Sequence, residues 1–129
     1  MNRLRSAIQA SRCGDPRQLD ETTLCQDYLL GADFPAFAGH FPGDPIVPAV
    51  VQILIAQVTA EAAWPQHPAW RSVERARFQK QLRPDQLLTV CCCRKKVRGR
   101  LLIDARLECE GKTAASFWLT LAEPENVQP

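Results

Sequence analysis

A histidine in a proline- and glycine-braced loop lies shortly before the longest apolar segment of the chain. His40 is one of only two histidines, and Pro48 marks the expected start of a helix. A helix start offers unpaired N–H groups and a positive dipole end, which can hold a carbonyl oxygen that gains negative charge. A neutral imidazole is a natural general base near neutral pH. A histidine base and the N–H donors of a helix start together suit removal of a proton next to a thioester carbonyl. The alternative is that His40 is a loop residue that makes a structural hydrogen bond.

The apolar segment is predicted to form a helix over residues 49–64. Pro48 suits the first helical turn, and Pro65 and Pro68 end the segment. Its apolar residues lie nearly all round the helix, as is typical of a helix buried on most sides. A strand is the competing interpretation because valine and isoleucine are β-branched, but the length favours a helix.

The remainder of the chain predicts an antiparallel sheet. Apolar and polar residues alternate most clearly in the last two strands, so one sheet face is expected to be apolar. The predicted strands are residues 22–30, 71–82, 86–97, 101–109 and 113–121. The fold class is therefore α+β, with a curved sheet wrapped around one long central helix.

Residues outside this core are predicted as flanking segments. Residues 1–20 form an N-terminal extension in which residues 1–12 could be a short helix, ended by Asp15 and Pro16. Residues 31–48 form an apolar, proline-rich loop, and residues 123–129 a frayed tail.

Composition limits the class of protein. The chain has 129 residues, of which 46% are hydrophobic and 23% charged, and its net charge is +2, so we expect a single globular domain. So small a net charge argues against a dedicated nucleic-acid binder. No apolar run reaches the ~20 residues of a membrane span, and we expect a cytoplasmic, reduced chain without a secretory signal.

The six cysteines do not predict disulfides. Cys91, Cys92 and Cys93 are consecutive, so neighbours point to opposite faces of a strand. Their spacing fits no zinc or redox motif. We expect small buried apolar residues and no metal site.

The segment GHFPGDPIVPAVVQILIAQ resembles the signature of the (3R)-hydroxyacyl-ACP dehydratases of the FabA/FabZ type. It is most similar to the branch found in aryl-polyene and related gene clusters. The residues in register are His40, Phe41, Pro42, Gly43, Pro45 and Pro48. Softer matches follow at residues 76–80 and 83–87, and the resemblance covers residues 20–122. It implies the hotdog fold, a helix wrapped by an antiparallel sheet.

The resemblance also implies roles for individual residues. His40 would remove the C2 proton of the substrate, and the backbone N–H of Ala49 would hold the thioester carbonyl. Alanine replaces the family's glycine at this position but keeps the N–H. The further residues expected to contact the substrate or shape its loop are Phe41, Gly43, Pro48, Val50 and Gln57.

Leu54 departs from the resemblance, because the family places Glu or Asp there to protonate the departing hydroxyl. Losing such a positioned acid typically costs ~10²–10⁴ in rate. Gln57 can hydrogen-bond but cannot titrate. Glu61 lies two turns along the helix and Asp44 in the loop, and both stay open as substitute acids.

The resemblance implies an acyl carrier protein as partner, bearing an acyl chain on its phosphopantetheine arm, and no metal or cofactor. It also implies a homodimer or larger homo-oligomer, or a heterodimer with a paralogue. Docking of the acidic carrier is assigned to Arg75, Arg77, Lys80 and Arg83. A second basic stretch, residues 94–100, is interpreted as a solvated hairpin end, with docking of the carrier protein or of nucleic acid as the alternative.

Three functions stay open. The first is a hydroxyacyl-ACP dehydratase of fatty-acid or polyene biosynthesis, a hydro-lyase. The second is a catalytically impaired acyl-binding subunit that pairs with an active paralogue, as the leucine at position 54 suggests. The third is an acyl thioesterase on the same fold, against which the same leucine counts.

Overall fold

One long helix lies against a six-stranded antiparallel sheet in the computed structural model, which describes residues 2–37 and 45–122. The strands are ordered β1-β2-β4-β5-β6-β3. The elements are α1 (Asn2–Ala10), β1 (Arg12–Gln18), β2 (Thr23–Leu29), a 3₁₀ turn (Pro35–Phe37), α2 (Ala49–Ala63), β3 (Trp70–Phe78), β4 (Leu87–Val97), β5 (Arg100–Cys109) and β6 (Lys112–Leu121).

The central helix α2 is buried along most of its length. Ile55 and Ala56 have no exposed surface, and Val58 and Ala60 are almost fully covered. The helix contacts β2, β4 and β5 on the sheet and α1 on another side. This enclosure explains why its sequence is apolar nearly all round. The predicted helix over residues 49–64 is confirmed to within one residue.

The sheet has one apolar face, which α2 covers. Ala105, Leu107, Phe117 and Leu119 point into the core and are fully buried. Their neighbours Asp104, Arg106, Ser116 and Trp118 alternate onto the outer face, as the pleat of a strand requires. The five predicted strands all occur, although β3 ends at Phe78 rather than residue 82.

The strand β1 is an element that the sequence pattern did not predict. It forms the edge of the sheet and pairs with β2, with a register shift between Cys13 and Arg17. Gly14 within the shift has a φ of 72°, a conformation that glycine adopts readily. The helix α1 is present but ends at Ala10, so Asp15 and Pro16, the residues predicted to end it, lie within β1 instead. The predicted tail, residues 123–129, lies outside the described residues.

The expectation that no cysteine forms a disulfide is wrong for Cys25 and Cys91, which are bonded. The two residues are directly opposite each other on β2 and β4, with Cα atoms 4.1 Å apart. Neighbouring cysteines on one strand cannot bond, but the register of two strands brings these two together. The expectation holds for Cys92 and Cys109, which are free and buried.

The disulfide and the buried thiols predict a definite pattern of alkylation. The protein unfolded without reductant should present four thiols, and six after reduction. In the native protein only Cys13 and Cys93 should react quickly. Cys92 and Cys109 are buried, and burial raises the pKa of both thiols, that of Cys92 to about 12. Six reactive thiols without reductant would contradict the bond.

The same bond should stabilise the fold, because it closes a loop between residues 66 positions apart. Replacing both Cys25 and Cys91 by serine should lower the free energy of unfolding by about 2–4 kcal/mol in urea titrations. Cys13→Ser is the control and should have little effect, since its thiol is free and only half-buried.

Candidate active site

The start of α2 presents two backbone N–H groups that the helix does not use. Pro48 precedes the helix in an extended conformation, and its carbonyl oxygen accepts hydrogen bonds from the N–H groups of Val51 (3.0 Å) and Gln52 (3.1 Å). Helix geometry leaves the N–H groups of Ala49 and Val50 without an intrahelical acceptor. They can donate to an oxygen that carries negative charge, assisted by the helix dipole.

Two hydrogen bonds fix the segment that leads into this helix start. The Val47 N–H donates to the Leu82 carbonyl at 2.8 Å, and the Gln52 Nε2 donates to the Val47 carbonyl at 3.0 Å. Val47 and Leu82 are themselves buried. The position of the Ala49 N–H is therefore set by the core rather than by a free loop.

A surface cavity of about 230 Å³ opens beside the helix start. Residues 46–49 and Gln52 form one wall, and residues 78–81 after β3 form the other. Pro48 and Ala49, two of the residues expected at the substrate, are in this wall. Val50, a third, follows Ala49 in the chain and is 71% exposed. The cavity therefore lies next to the helix start, and part of its wall is apolar.

Gln52 is a polar residue of this cavity that the sequence did not single out. Its side chain is 4% exposed, and its Oε1 atom has no hydrogen-bond partner within the described residues. A buried amide with one unused acceptor is uncommon and calls for an explanation. The sequence alone does not separate it from Gln57 on the same helix, which is only half-buried.

Leu54, at the position where the resemblance expects an acid, lies in the hydrophobic core and is 7% exposed. Gln57 follows one turn later and is half-buried. Neither side chain has an ionisable proton, so neither can act as a general acid. On the described part of α2, the only carboxylate is that of Glu61.

The carboxylate of Glu61 is bound by two neighbouring side chains. Its Oε1 forms an ion pair with Arg5 of α1, and its Oε2 accepts a hydrogen bond of 2.8 Å from the Trp70 Nε1. Both oxygens are therefore engaged with the first helix and with β3, which argues against Glu61 as the substitute acid. The other candidate, Asp44, lies outside the described residues together with His40, Phe41 and Gly43.

The four basic residues assigned to carrier docking divide between two surfaces. Arg75 and Arg77 line an outer-face cavity of about 390 Å³ beside Arg106, and the Arg75 guanidinium stacks 4.4 Å from the Trp118 ring. Lys80 lines the cavity at the helix start and pairs with Glu110 at 3.0 Å. Arg83 donates a 2.8 Å hydrogen bond to Gln81, in that same cavity wall.

The described residues contain no cluster of three or more His, Cys, Asp or Glu side chains that could hold a metal ion. Among the helices in residues 2–37 and 45–122, none combines the length and the apolar character needed to cross a membrane.

Comparison with known sequences identifies relatives along most of the chain. The family model of the ApeI-like proteins, described as ApeI dehydratase, matches residues 16–117. The 3-hydroxyacyl-[acyl-carrier-protein] dehydratase FabZ of Streptococcus pneumoniae serotype 4 is 33% identical over 113 residues, 81% of either protein. FabZ of the S. pneumoniae strain Hungary19A-6 is 32% identical over the same length.

Solved structures with similar folds include the dehydratase heterocomplex ApeI:P from Xenorhabdus doucetiae. Its TM-score is 0.75 at 23% identity, covering 84% of this chain and 95% of that one. The E. coli PaaI protein from the phenylacetic acid degradation operon has a TM-score of 0.66 at 14% identity, covering 92% and 88%. A hypothetical thioesterase with coenzyme A from S. pneumoniae has a TM-score of 0.64 at 7% identity, covering 82% and 84%. These likenesses confirm the predicted hotdog fold.

The structural role of Glu61 predicts a measurable coupling to Arg5. Glu61→Gln keeps an acceptor for the Trp70 N–H but removes the charge that pairs with Arg5. We expect a loss of about 0.5–1 kcal/mol in the free energy of unfolding, because the pair is only partly buried. In an Arg5→Met background the loss should largely vanish, as a double-mutant cycle would measure. Equal losses in both backgrounds would contradict the ion pair.

Proposed function

Because the chain belongs to the ApeI-like dehydratase family, we propose that it removes water from a (3R)-3-hydroxyacyl chain carried by an acyl carrier protein. The observation that carries the proposal is the start of α2. There Ala49, whose N–H has no acceptor within the helix, lines a cavity, and the core fixes the start of the helix.

The proposed reaction begins with binding of the thioester carbonyl oxygen at the Ala49 N–H. That hydrogen bond stabilises the negative charge that develops on the oxygen when the C2 proton leaves. We assign removal of this proton to the His40 imidazole. The C2 electron pair then forms the double bond to C3, the C3–O bond breaks, and the hydroxyl departs as water after it gains a proton.

The source of that last proton separates the two leading versions of the proposal. Leu54 cannot supply it, and Glu61 is engaged by Arg5 and Trp70. In the first version the imidazolium formed at His40, or solvent, returns the proton, so the enzyme is active but slow. A missing general acid costs ~10²–10⁴ in rate.

In the second version the chain is an impaired acyl-binding subunit that pairs with an active paralogue. The apolar surroundings of Leu54 favour this version, because they suit an acyl chain better than a charged acid. The solved ApeI:P protein is itself a heterocomplex. The thioesterase alternative gains no support from Leu54, since that chemistry also needs a polar group on this helix.

Turnover of the purified protein tests these versions. A 3-hydroxyacyl-ACP is incubated with the wild type, His40→Ala, Leu54→Glu and the control Leu54→Gln, and dehydration is followed by mass spectrometry. We expect slow turnover by the wild type and none by His40→Ala. Leu54→Glu should be at least tenfold faster, and Leu54→Gln should not, because an amide has no proton to give.

Other outcomes decide against the slow enzyme. If the wild type is inert and only Leu54→Glu turns over, the chain is the impaired subunit. A paralogue with an acid at the corresponding position should then copurify with it. If neither turns over, alone or with that paralogue, the proposed reaction is wrong.

We further propose that Arg77 contributes to docking of the acidic carrier. It lies on the exposed strand β3 near Arg75 and Arg106, so three positive charges line one cavity. The one carboxylate in that lining, Asp104, pairs with Lys95. Opposite charges of this kind accelerate and orient association more than they strengthen it.

Charge reversal tests this docking surface. Arg77→Glu should raise the KM for a 3-hydroxyacyl-ACP about threefold to tenfold and leave the KM for the matching pantetheine thioester unchanged. The difference should shrink in high salt, because exposed charges are screened. Arg98→Glu, at the exposed turn between β4 and β5, is the matched control. An equal effect of Arg98→Glu would move the docking surface to that turn.

A further inference from the structure

Gln52 combines burial, a fixed orientation and an unused acceptor. Its side chain is 4% exposed and lies one turn from Ala49 on the same side of α2. Both residues line the cavity at the helix start. The amide is therefore next to the N–H groups proposed to hold the thioester.

The orientation of the amide follows from its one hydrogen bond. The Gln52 Nε2 is 3.0 Å from the Val47 carbonyl oxygen, and a carbonyl can only accept. Turning the amide over would place two oxygens against each other. Oε1 is therefore the atom left without a partner in the described part of the chain.

An unused buried acceptor destabilises a protein, whereas an apolar side chain of the same shape would avoid the problem. A ligand that donates a hydrogen bond would satisfy it. Under the proposed function, the substrate brings two kinds of donor: its 3-hydroxyl group and the amide N–H groups of the pantetheine arm.

We propose that Gln52 is a substrate-positioning residue whose Oε1 accepts the hydrogen of the 3-hydroxyl group. This inference rests on the proposed function. The hydroxyl fits better than the arm, because Oε1 is buried while the arm must run outward to its carrier. A hydrogen bond at this point orients the C3–O bond and discriminates between the two configurations at C3. Gln52 thus gives the site its requirement for a 3-hydroxyl group.

The test compares ligands on the wild-type protein by calorimetry. The probes are acyl-pantetheine amides of one chain length that carry (3R)-hydroxyl, (3S)-hydroxyl, 3-fluoro or no group at C3. The wild type should bind the (3R)-hydroxyl probe about fivefold to tenfold more tightly than the other three. The comparison with the 3-fluoro probe is the decisive one, because fluorine resembles the hydroxyl in size and polarity but has no hydrogen to donate.

Gln52→Met supplies the protein side of the comparison, with Gln9→Met on α1 as the control. Gln52→Met should bind all four probes with the affinity that the wild type has for the unsubstituted one. Gln9→Met should keep the wild-type preference. Thermal unfolding of each variant shows that it is folded, and the wild-type fluoro comparison stands even if Gln52→Met does not fold.

The outcomes separate this inference from the function on which it rests. A wild type that binds all probes equally, or a folded Gln52→Met that keeps the preference, overturns the role of Gln52 alone. A Gln52→Met that weakens all four probes equally also overturns it, because it indicates contact with the arm. A wild type that binds none of the probes overturns the proposed function and this inference together.

Discussion

Enclosure of α2 is the constraint on which the rest of the structure depends. A helix that is apolar on nearly every side must be covered on nearly every side, and each large side chain so buried contributes about 1.5–3 kcal/mol. The curved sheet covers most of it, and α1 adds a further contact. The first turn is different, because the chain enters it at Pro48 and Val50 stays 71% exposed. A buried helix therefore carries its free N–H donors at the boundary between core and surface.

The polar side chains of α2 differ in whether their hydrogen bonds are satisfied within the protein. The Thr59 hydroxyl is satisfied by Tyr28 and the Ile55 carbonyl, deep in the core. Glu61 is satisfied by Arg5 and Trp70 at the far end. Among the buried side-chain polar atoms of the described residues, only the Gln52 Oε1 near the helix start has no hydrogen-bond partner. Two of these groups stabilise the contacts of α2, while the third belongs to a residue that lines the cavity at the helix start.

Much of this arrangement could be predicted from the sequence. The flanking prolines and the length identify α2, and strict alternation identifies β5 and β6, because both signals are local. The strand β1 could not be predicted, since Gly14, Asp15 and Pro16 are poor strand residues that are tolerated here at a sheet edge with a register shift. The Cys25–Cys91 bond depends on the register between two strands far apart in sequence. The unused oxygen of Gln52 depends on which groups surround it, which no spacing of residues reveals.

Leu54 shows how packing and catalysis compete for one position. It is 7% exposed among apolar side chains, so the leucine supports the core, whereas the proposed function calls for an acid at this position. A carboxyl group there would be desolvated, and desolvation favours its neutral form and raises its pKa. That neutral form is the one that can give a proton to a departing hydroxyl, so an acid would serve catalysis at the expense of stability. With leucine, the same surroundings favour stability and an acyl chain. The surroundings of position 54 thus favour leucine for stability, and under the proposed function an acid at this position would be the proton donor.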